Sequence, residues 1–451
     1  MTIEKEKIVL KPSQQQALTE MLNWCLDKES LTYTLTGRAG TGKTTVLNDF
    51  IKQNPFKYRL CVTAPTHKAK KVVSQKTGKS GETIQKLLGL RPDTSLDDFN
   101  INKPQFNMLA EAAIMDYSLI IIDEASMLNK NLFDYLLKEG AKYKTKILFV
   151  GDDAQINPVG ETISQIFKVE KQSKLTEVIR QSGENPVMEL FEILTKDIDN
   201  NTDNYLKFLR DNPKKVNDLG EGYECVSMDD FTSNMIKYFS SMDFFNNPDY
   251  CKYIAWTNKS VTGLNAYIRK NVLKSENLLE LNELLMAYNT VSAQFNETVL
   301  INSDDYKVIE INEGSSNYNE AVIEGYRVKL SSETMNTDVF IVKPESYNVF
   351  LKEFNELLRI AKLKKGRAWI NYFDFKKNHI LMTDIVEGGK LIVKKDIDYG
   401  YGLTSHKSQG STYENVFINL NDINNNKTPM ERRRLSYVAL SRMTKKAFIL
   451  Y

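Results

Sequence analysis

At 451 residues the chain is long enough for about two to four units, each burying its own core. Charged residues make up 26% and hydrophobic ones 41%, ordinary values for a soluble globular protein. The net charge of +2 excludes a chain-wide basic field, so any track for nucleic acid has to be local.

Four scattered cysteines (Cys25, Cys61, Cys225, Cys251) form no C-x-x-C pair and no cluster with histidine, which argues against a disulfide framework or a zinc site. The charged N-terminus and the shortness of the longest aliphatic run, Leu119–Ile122, predict neither a signal peptide nor a membrane span, and hence a cytosolic protein.

Residues 12–18 predict a helix start, with Ser13 as N-cap and an apolar stripe through Leu18, Met21, Leu22 and Cys25. Gln14 has two readings. A glutamine amide can match the donor and acceptor of an adenine edge, and by residue type alone it is more at home as a solvated surface side chain. Residues 33–36 then read as a strand that runs into Gly37-Arg38-Ala39-Gly40-Thr41-Gly42-Lys43-Thr44-Thr45, followed by a helical pattern over 46–52. This is a complete G-x-x-x-x-G-K-[ST] phosphate loop. Its glycines allow successive N–H groups to turn toward an oxyanion at a helix start. Lys43 is placed to reach the β and γ phosphates of ATP, and the Thr44 hydroxyl to ligate Mg²⁺.

Residues 58–64 read as a buried strand leading to Pro65-Thr66-His67-Lys68, a Lys-rich helix at a carboxyl edge of a sheet. That helix is either a solvated basic face or a contact with phosphodiesters. Residues 81–88 look like another helix start. From 89 to 116 the pattern weakens into an excursion, where Phe99 and Phe106 are either buried anchors or wedges between bases.

The run Leu119–Ile122 is apolar on every residue, as in a strand covered by helices on both faces. It ends in Asp123 and Glu124, which could cap the next helix or, beside a phosphate loop, hold Mg²⁺ and polarise the attacking water. Residues 146–150 are a further strand, and Gln155 in the turn beyond it is placed to sense the γ-phosphate. Strands alternating with helices through the first 160 or so residues predict an α/β nucleotide-binding domain with a parallel sheet.

In order, residues 37–45, 63–68, 123–126, 151–159 and 175–180 resemble the motifs of superfamily 1 DNA helicases, and within them the RecD-type branch that includes the phage Dda helicases. The second half extends the resemblance through 251–265, through Thr404-Ser405-His406-Lys407-Ser408-Gln409-Gly410 before a strand at 416–420, and through Tyr437 to Arg442 in a helical segment. The resemblance implies two RecA-like domains. One covers 1–170, with its excursion near 89–116; the other covers 171–284 plus 397–451; a small Src-homology-3-like β-barrel with helices is inserted over 285–396. Short antiparallel strands at 298–302, 307–311, 321–330 and 339–343 and a helix at 347–365 fit that insertion.

The resemblance further implies that Lys43, Glu124, Gln155, Arg180 and Arg442 are catalytic, Arg442 as an arginine finger from the second domain. Gln14, Gly37, Ala39, Gly40, Thr41, Gly42, Lys43, Thr44, Thr45 and Gly410 would hold ATP, and Thr44 with Asp123 would hold Mg²⁺. Thr63, Pro65, His67, Thr83, Asn258, Trp369, Phe373, Thr404, His406 and Lys407 would face DNA. Trp369, Tyr372, Phe373 and Phe375 beside Lys376 and Lys377 read equally as a base-stacking platform and as a small core.

Two departures stand out. Gln85 replaces a histidine that many relatives carry, and the stretch 89–116 matches the family pattern too poorly to carry its strand-separating phenylalanine onto Phe99 or Phe106. The acidic, Asn-rich run 197–204 reads as a surface loop. The expected protein is a monomeric ATP-dependent helicase acting on single-stranded and forked DNA, travelling 5′ to 3′, alongside a single-strand-binding protein or replication and recombination factors. If phage-encoded, it would act in a host cytoplasm. A small-molecule kinase would leave the second half without work, and an ATP-driven loader would hydrolyse ATP on DNA without separating strands.

Overall fold

A computed structural model of the chain describes residues 10–56, 59–79, 81–91, 94, 96, 111–177, 185–292, 298–364 and 366–451. Phe99, Phe106 and Arg180 lie outside the described residues.

The first layer runs α1 (Pro12–Leu26), β1 (Thr32–Gly37), α2 (Lys43–Gln53), β2 (Leu60–Thr63), α3 (His67–Thr77), the single turn α4 (Ile84–Leu87), β3 (Leu119–Ile122), α5 (Lys130–Tyr143), β4 (Lys146–Gly151) and β5 (Gln172–Leu175). Its sheet has the order β2-β3-β4-β1-β5, with every pairing parallel. The unbroken apolar run of β3 now has its reason. Leu119 and Ile121 pack toward α1 and α2 with Met21, Leu47 and Phe50, whereas Ile120 and Ile122 pack toward α5 with Leu132 and Leu136. β4 divides in the same way, Leu148 and Val150 on one face and Ile147 and Phe149 on the other.

One expectation at the start of the chain fails. α1 begins at Pro12 with Lys11 as its N-cap residue, whose amide donates to Gln14 Oε1 at 3.0 Å. Pro12 suits the first helical position because its missing N–H would have had no partner there, and Ser13 therefore falls inside the first turn.

The chain continues through α6 (Val187–Asn200), α7 (Asn204–Asp211), β6 (Lys214–Val216), β7 (Gly222–Val226), α8 (Met228–Phe239), α9 (Met242–Asn246), β8 (Cys251–Ala255) and α10 (Asn258–Ile268). The run 197–204 is not a loop throughout. Asp197 lies in the last turn of α6, fully buried, and accepts hydrogen bonds from Tyr205 N–H, the Thr202 hydroxyl and Asn204 Nδ2. Its carboxylate thereby stitches α6 to α7, which composition alone does not reveal.

Next come β9 (Leu284–Ala287), β10 (Val291–Ser292), β11 (Thr298–Leu300), β12 (Asp305–Tyr318), β13 (Ala321–Ser331), β14 (Asn336–Val342), α11 (Tyr347–Lys364), α12 (Ala368–Asn378), β15 (Ile385–Glu387), β16 (Lys390–Val393) and β17 (Ile397–Tyr399). Antiparallel pairing gives the order β14-β13-β12-β9-β17, with β10–β11 and β15–β16 as separate ribbons. Among the described residues no pairing joins β14 to β17. β12 runs seven residues past the predicted 307–311, to Tyr318, because its outer half is a polar ribbon held by cross-strand hydrogen bonds to β13, which periodicity cannot signal. α11 and α12 cover one face of this sheet, Phe350, Phe354 and Phe375 packing on Ile323, Phe340 and Val342.

The chain then returns through β18 (Gly402–Thr404), β19 (Tyr413–Asn419), α13 (Leu420–Asn424), α14 (Pro429–Leu440) and β20 (Met443–Leu450). These complete a second sheet of order β18-β8-β19-β20-β7-β6, parallel except for β6. Again the faces alternate, with Val416 and Ile418 on one side of β19 and Phe417 on the other. Arg442 is not inside a helix as expected; α14 stops at Leu440 and Arg442 sits in the turn that enters β20. All four cysteines are free, Cys25, Cys61 and Cys251 buried and Cys225 half-buried. Among the described residues no helix is long and apolar enough to cross a membrane.

A candidate nucleotide cleft between two sheets

β1 delivers the glycine-rich loop to the carboxyl edge of the first sheet, and α2 starts immediately after it. Gly42 makes the turn possible: at φ +78° it holds a left-handed conformation that side-chain-bearing residues resist. Lys43 folds back onto the loop, donating to the carbonyls of Gly37 and of Arg38 (3.3 Å), with Nζ 3.9 Å from Asp152 Oδ2. Thr44 and Thr45 stand half-buried in the first turn of α2, and Thr41 Oγ1 donates to Arg38 O at 2.8 Å. Gln14 is not a solvated surface residue. It is 3% exposed, and its Nε2 donates to Thr41 O at 3.1 Å, so the first helix braces the loop from behind.

β3 ends beside this loop. Asp123 Oδ1 accepts the Glu124 N–H at 2.9 Å, and Glu124 is held at φ +52°, a strained setting for a residue with a side chain. Burial, and then the neighbouring Glu124, push the Asp123 carboxyl up to about 6. A half-buried acid that accepts its own neighbour's amide is one that a divalent cation would stabilise. Among the described residues no group of three or more acids, histidines or cysteines could hold a metal alone. An ion such as Mg²⁺ takes few protein ligands and completes its shell with phosphate and water.

The opposite wall comes from the second sheet. Tyr437, on α14, accepts the Ala39 N–H of the loop at 2.7 Å and donates to Asp152 Oδ2 at 2.9 Å. Arg434, one turn earlier, donates to the carbonyls of Asp153 (2.8 Å) and Gln155. Gln409 Nε2 reaches Gln155 Oε1 at 3.3 Å and Ile156 O at 3.4 Å. Arg38 bridges Asp153 (2.7 Å) and, in a forked pair, Asp199 of α6 (2.5 and 2.9 Å). Ala154 and Ile156 of the first sheet's loop join the core of the second layer, packed among Leu190, Tyr413 and Tyr437. Gly410, at φ +75°, lies so close to α3 that a Cβ there would come within 2.6 Å of Ala69 Cβ. Arg442 is 5% exposed and donates to the carbonyls of Val438 (3.2 Å), Ser411 (3.2 Å) and Ser408 (3.4 Å) of its own layer.

The residues assigned to polynucleotide contact are spread over three places. Along α3, Pro65 and His67 are half-buried, and Lys68 is bound to Asp249 (2.8 Å) and Asp305 (3.2 Å). Thr63 is wholly buried and offers no surface in this arrangement, while Thr83 caps α4 by accepting Lys86 N–H at 3.2 Å. Burial, then Lys70, drive the His67 imidazole down to about 4. On the second sheet, Asn258 is exposed at the start of α10. Thr404 accepts Lys407 N–H, His406 is 3.9 Å from Glu431, and Lys407 lies 3.8 Å over the Tyr288 ring. On α12, the aromatic cluster divides. Phe375 belongs to the core and Tyr372 packs against it, whereas Trp369 and Phe373 are half-buried and tilted together at 5.8 Å. The Arg91 guanidinium of the first layer lies 3.8 Å over Phe373.

Sequence reasoning missed Arg38, Asp152, Arg434 and Tyr437 as cleft residues, while the Gln409-Gly410 turn was expected near the nucleotide. Tyr437 stood inside a motif already singled out, and Arg434 in the run Arg432-Arg433-Arg434, but only folding shows which of these faces the loop.

Residues 9–212 match the family described as "AAA domain", and residues 399–450 the "UvrD-like helicase C-terminal domain". The chain is 27% identical over 421 residues to the ATP-dependent DNA helicase dda of Enterobacteria phage T4, covering 85% of this chain and 87% of that one. It is 32% identical over 160 residues to the ATP-dependent RecD2 DNA helicase of Deinococcus radiodurans, covering 34% and 20% respectively. Among solved structures, Pif1 helicase from Bacteroides in complex with ADP-AlF3 and ssDNA superposes with a TM-score of 0.50 at 16% identity, over 98% of this chain and 92% of that one. A phosphate loop and a second α/β layer that grips it, joined to a likeness over 85% of the chain, make the protein similar to the superfamily 1 helicases of the Dda and RecD branch.

Proposed function

We propose that the protein is an ATP-dependent DNA helicase that travels along single-stranded DNA and unwinds duplex. One observation carries the reading. Residues of the second layer (Tyr437, Arg434, Gln409) bond directly to the phosphate loop and to the Asp152–Gln155 turn, so anything that changes in the loop is felt by both layers. The domain division we propose moves the expected bounds at two edges: the first RecA-like lobe runs on to Leu175, because β5 pairs with β1, and the inserted unit of small-barrel character runs on to Tyr399, because β17 pairs with β9, which leaves the rest of 176–284 with 400–451 as the second lobe.

ATP would lie on the loop residues Gly37 to Thr45, with Gln14 behind them and Gly410 opposite. Thr44 and Asp123 would hold Mg²⁺, which would supply positive charge to offset that of the phosphates. Lys43 leaves its loop carbonyls to bind the β and γ phosphates. Glu124 polarises the attacking water, Gln155 senses the γ-phosphate, and Arg442 and Arg180 stabilise the departing phosphoryl. Arg442 must exchange its backbone carbonyls for that role.

Pro65, His67 and Thr83 on one lobe and Asn258, Thr404, His406 and Lys407 on the other would track the backbone of a single strand, whereas Thr63, wholly buried, drops out of that set. Trp369 and Phe373 would stack a base, worth about 1 to 3 kcal/mol each. The branch implies 5′ to 3′ movement, action as a monomer, forked DNA as substrate, and work in the cytoplasm beside a single-strand-binding protein or replication and recombination factors. The test is ATPase activity with and without oligo-dT, then unwinding of duplexes carrying a 5′ or a 3′ tail, for wild type and Lys43→Ala. K43A should lose hydrolysis and unwinding while keeping DNA binding. Hydrolysis that persists in K43A, or that ignores single strands in the wild type, overturns the reading.

A further inference from the structure

Asp152 is a liability in a phosphate site. It is 3% exposed, its Oδ2 stands 3.9 Å from Lys43 Nζ, and it offers that lysine a negative charge in competition with the phosphates. Two donors offset it: the Ala154 N–H at 2.9 Å on Oδ1, and the Tyr437 hydroxyl, from the other lobe, at 2.9 Å on Oδ2. The same hydroxyl accepts the Ala39 N–H, so it belongs to the cleft only while the lobes are together. The ring is 1% exposed and set edge-on to Phe191 at 5.6 Å, so the hydroxyl has one position available to it.

We propose that Tyr437 is a positioning residue for Lys43: on lobe closure its hydroxyl occupies the Asp152 carboxylate, weakens that acid's hold on Lys43, and frees the lysine for the triphosphate. Closure and nucleotide binding then favour each other through one hydrogen bond. Opening the lobes withdraws the hydroxyl, returns Lys43 to Asp152 and loosens the phosphates, which is the direction that product release needs. This rests on the reading of the loop as the ATP site. It adds a residue that touches neither phosphate nor metal.

The test is equilibrium binding of mant-ATP, with KM and kcat for DNA-stimulated ATP hydrolysis, in Tyr437→Phe, Asp152→Asn and the double variant. Phe keeps the ring and its contact with Phe191, and circular dichroism with a thermal melt checks the fold. Y437F should weaken mant-ATP binding and raise KM about ten-fold or more, the effect of losing one hydrogen bond to a charged group, with a smaller change in kcat. In the D152N background the competing charge is gone, so adding Y437F should change KM less than three-fold, the ordinary scatter between sites that are not coupled. Unchanged binding in Y437F overturns the proposal. So does an equal loss in both backgrounds, which would make the tyrosine a merely structural cleft residue. K43A in the same assay separates the two levels: mant-ATP binding undisturbed by K43A removes the ATP-site reading itself, whereas loss in K43A with wild-type behaviour in Y437F removes this inference alone.

Discussion

Asp305→Asn should be the most damaging single change outside the nucleotide cleft. Asp305, the first residue of β12, meets Lys252 of β8 at 2.9 Å and Lys68 of α3 at 3.2 Å, so one carboxylate ties the inserted sheet to both lobes. Lys252 has a side-chain exposure of 0% and Asp305 of 9%. Asparagine keeps the shape and removes the charge, leaving Lys252 with the Gly400 carbonyl at 2.5 Å and the Tyr413 ring at 5.7 Å. Stranding a buried charge in this way costs roughly 3 to 5 kcal/mol. Lys68 still has Asp249 at 2.8 Å and Tyr413 at 4.6 Å, which puts the expected loss near the lower end, about 3 kcal/mol. For units of this size that is a fall in Tm of roughly 6 to 12 °C. Urea unfolding at pH 7 measures it, with Asp249→Asn as control; Asp249 is 43% exposed, so its loss should cost about 1 kcal/mol or less. Lys252→Met added to D305N should recover much of the loss by removing the stranded charge. A D305N within 1 kcal/mol of wild type, or no recovery on adding K252M, refutes the argument.

Two further outcomes follow from the geometry. His67 is held down to about 4 when folded, by burial and then Lys70, against about 6.5 unfolded, so the unfolded chain takes its proton first; stability should fall as pH drops from 6.5 toward 4, by up to roughly 3 kcal/mol before solvent screening, and His67→Gln should flatten that fall in urea titrations. Gly410→Ala should destabilise more than Gly78→Ala, since both need positive φ but only the Gly410 Cβ meets another lobe, at 2.6 Å from Ala69, while Gly78 faces open space; equal costs of roughly 1 kcal/mol in urea melts would mean that the lobes do not touch there.

What the chain says without being folded is what depends on neighbours in sequence. The loop Gly37 to Thr45 needs only its own spacing and the glycine that turns Gly42 left-handed, and Leu119–Ile122 declares a doubly covered strand because every side chain along it is apolar. Where a residue type has two uses, the sequence stays ambiguous. Gln14 reads as surface until α1 presses it against Thr41, and Asp197 reads as loop until α7 turns its amide and side chains onto it. The seam between the lobes is wholly a product of tertiary structure. Tyr437 meets Ala39 across 398 residues and Lys68 meets Asp305 across 237. No periodicity spans such distances, because side-chain partners are chosen by how sheets and helices pack after the local elements exist, and a tyrosine or an aspartate carries no local mark of the partner it will find.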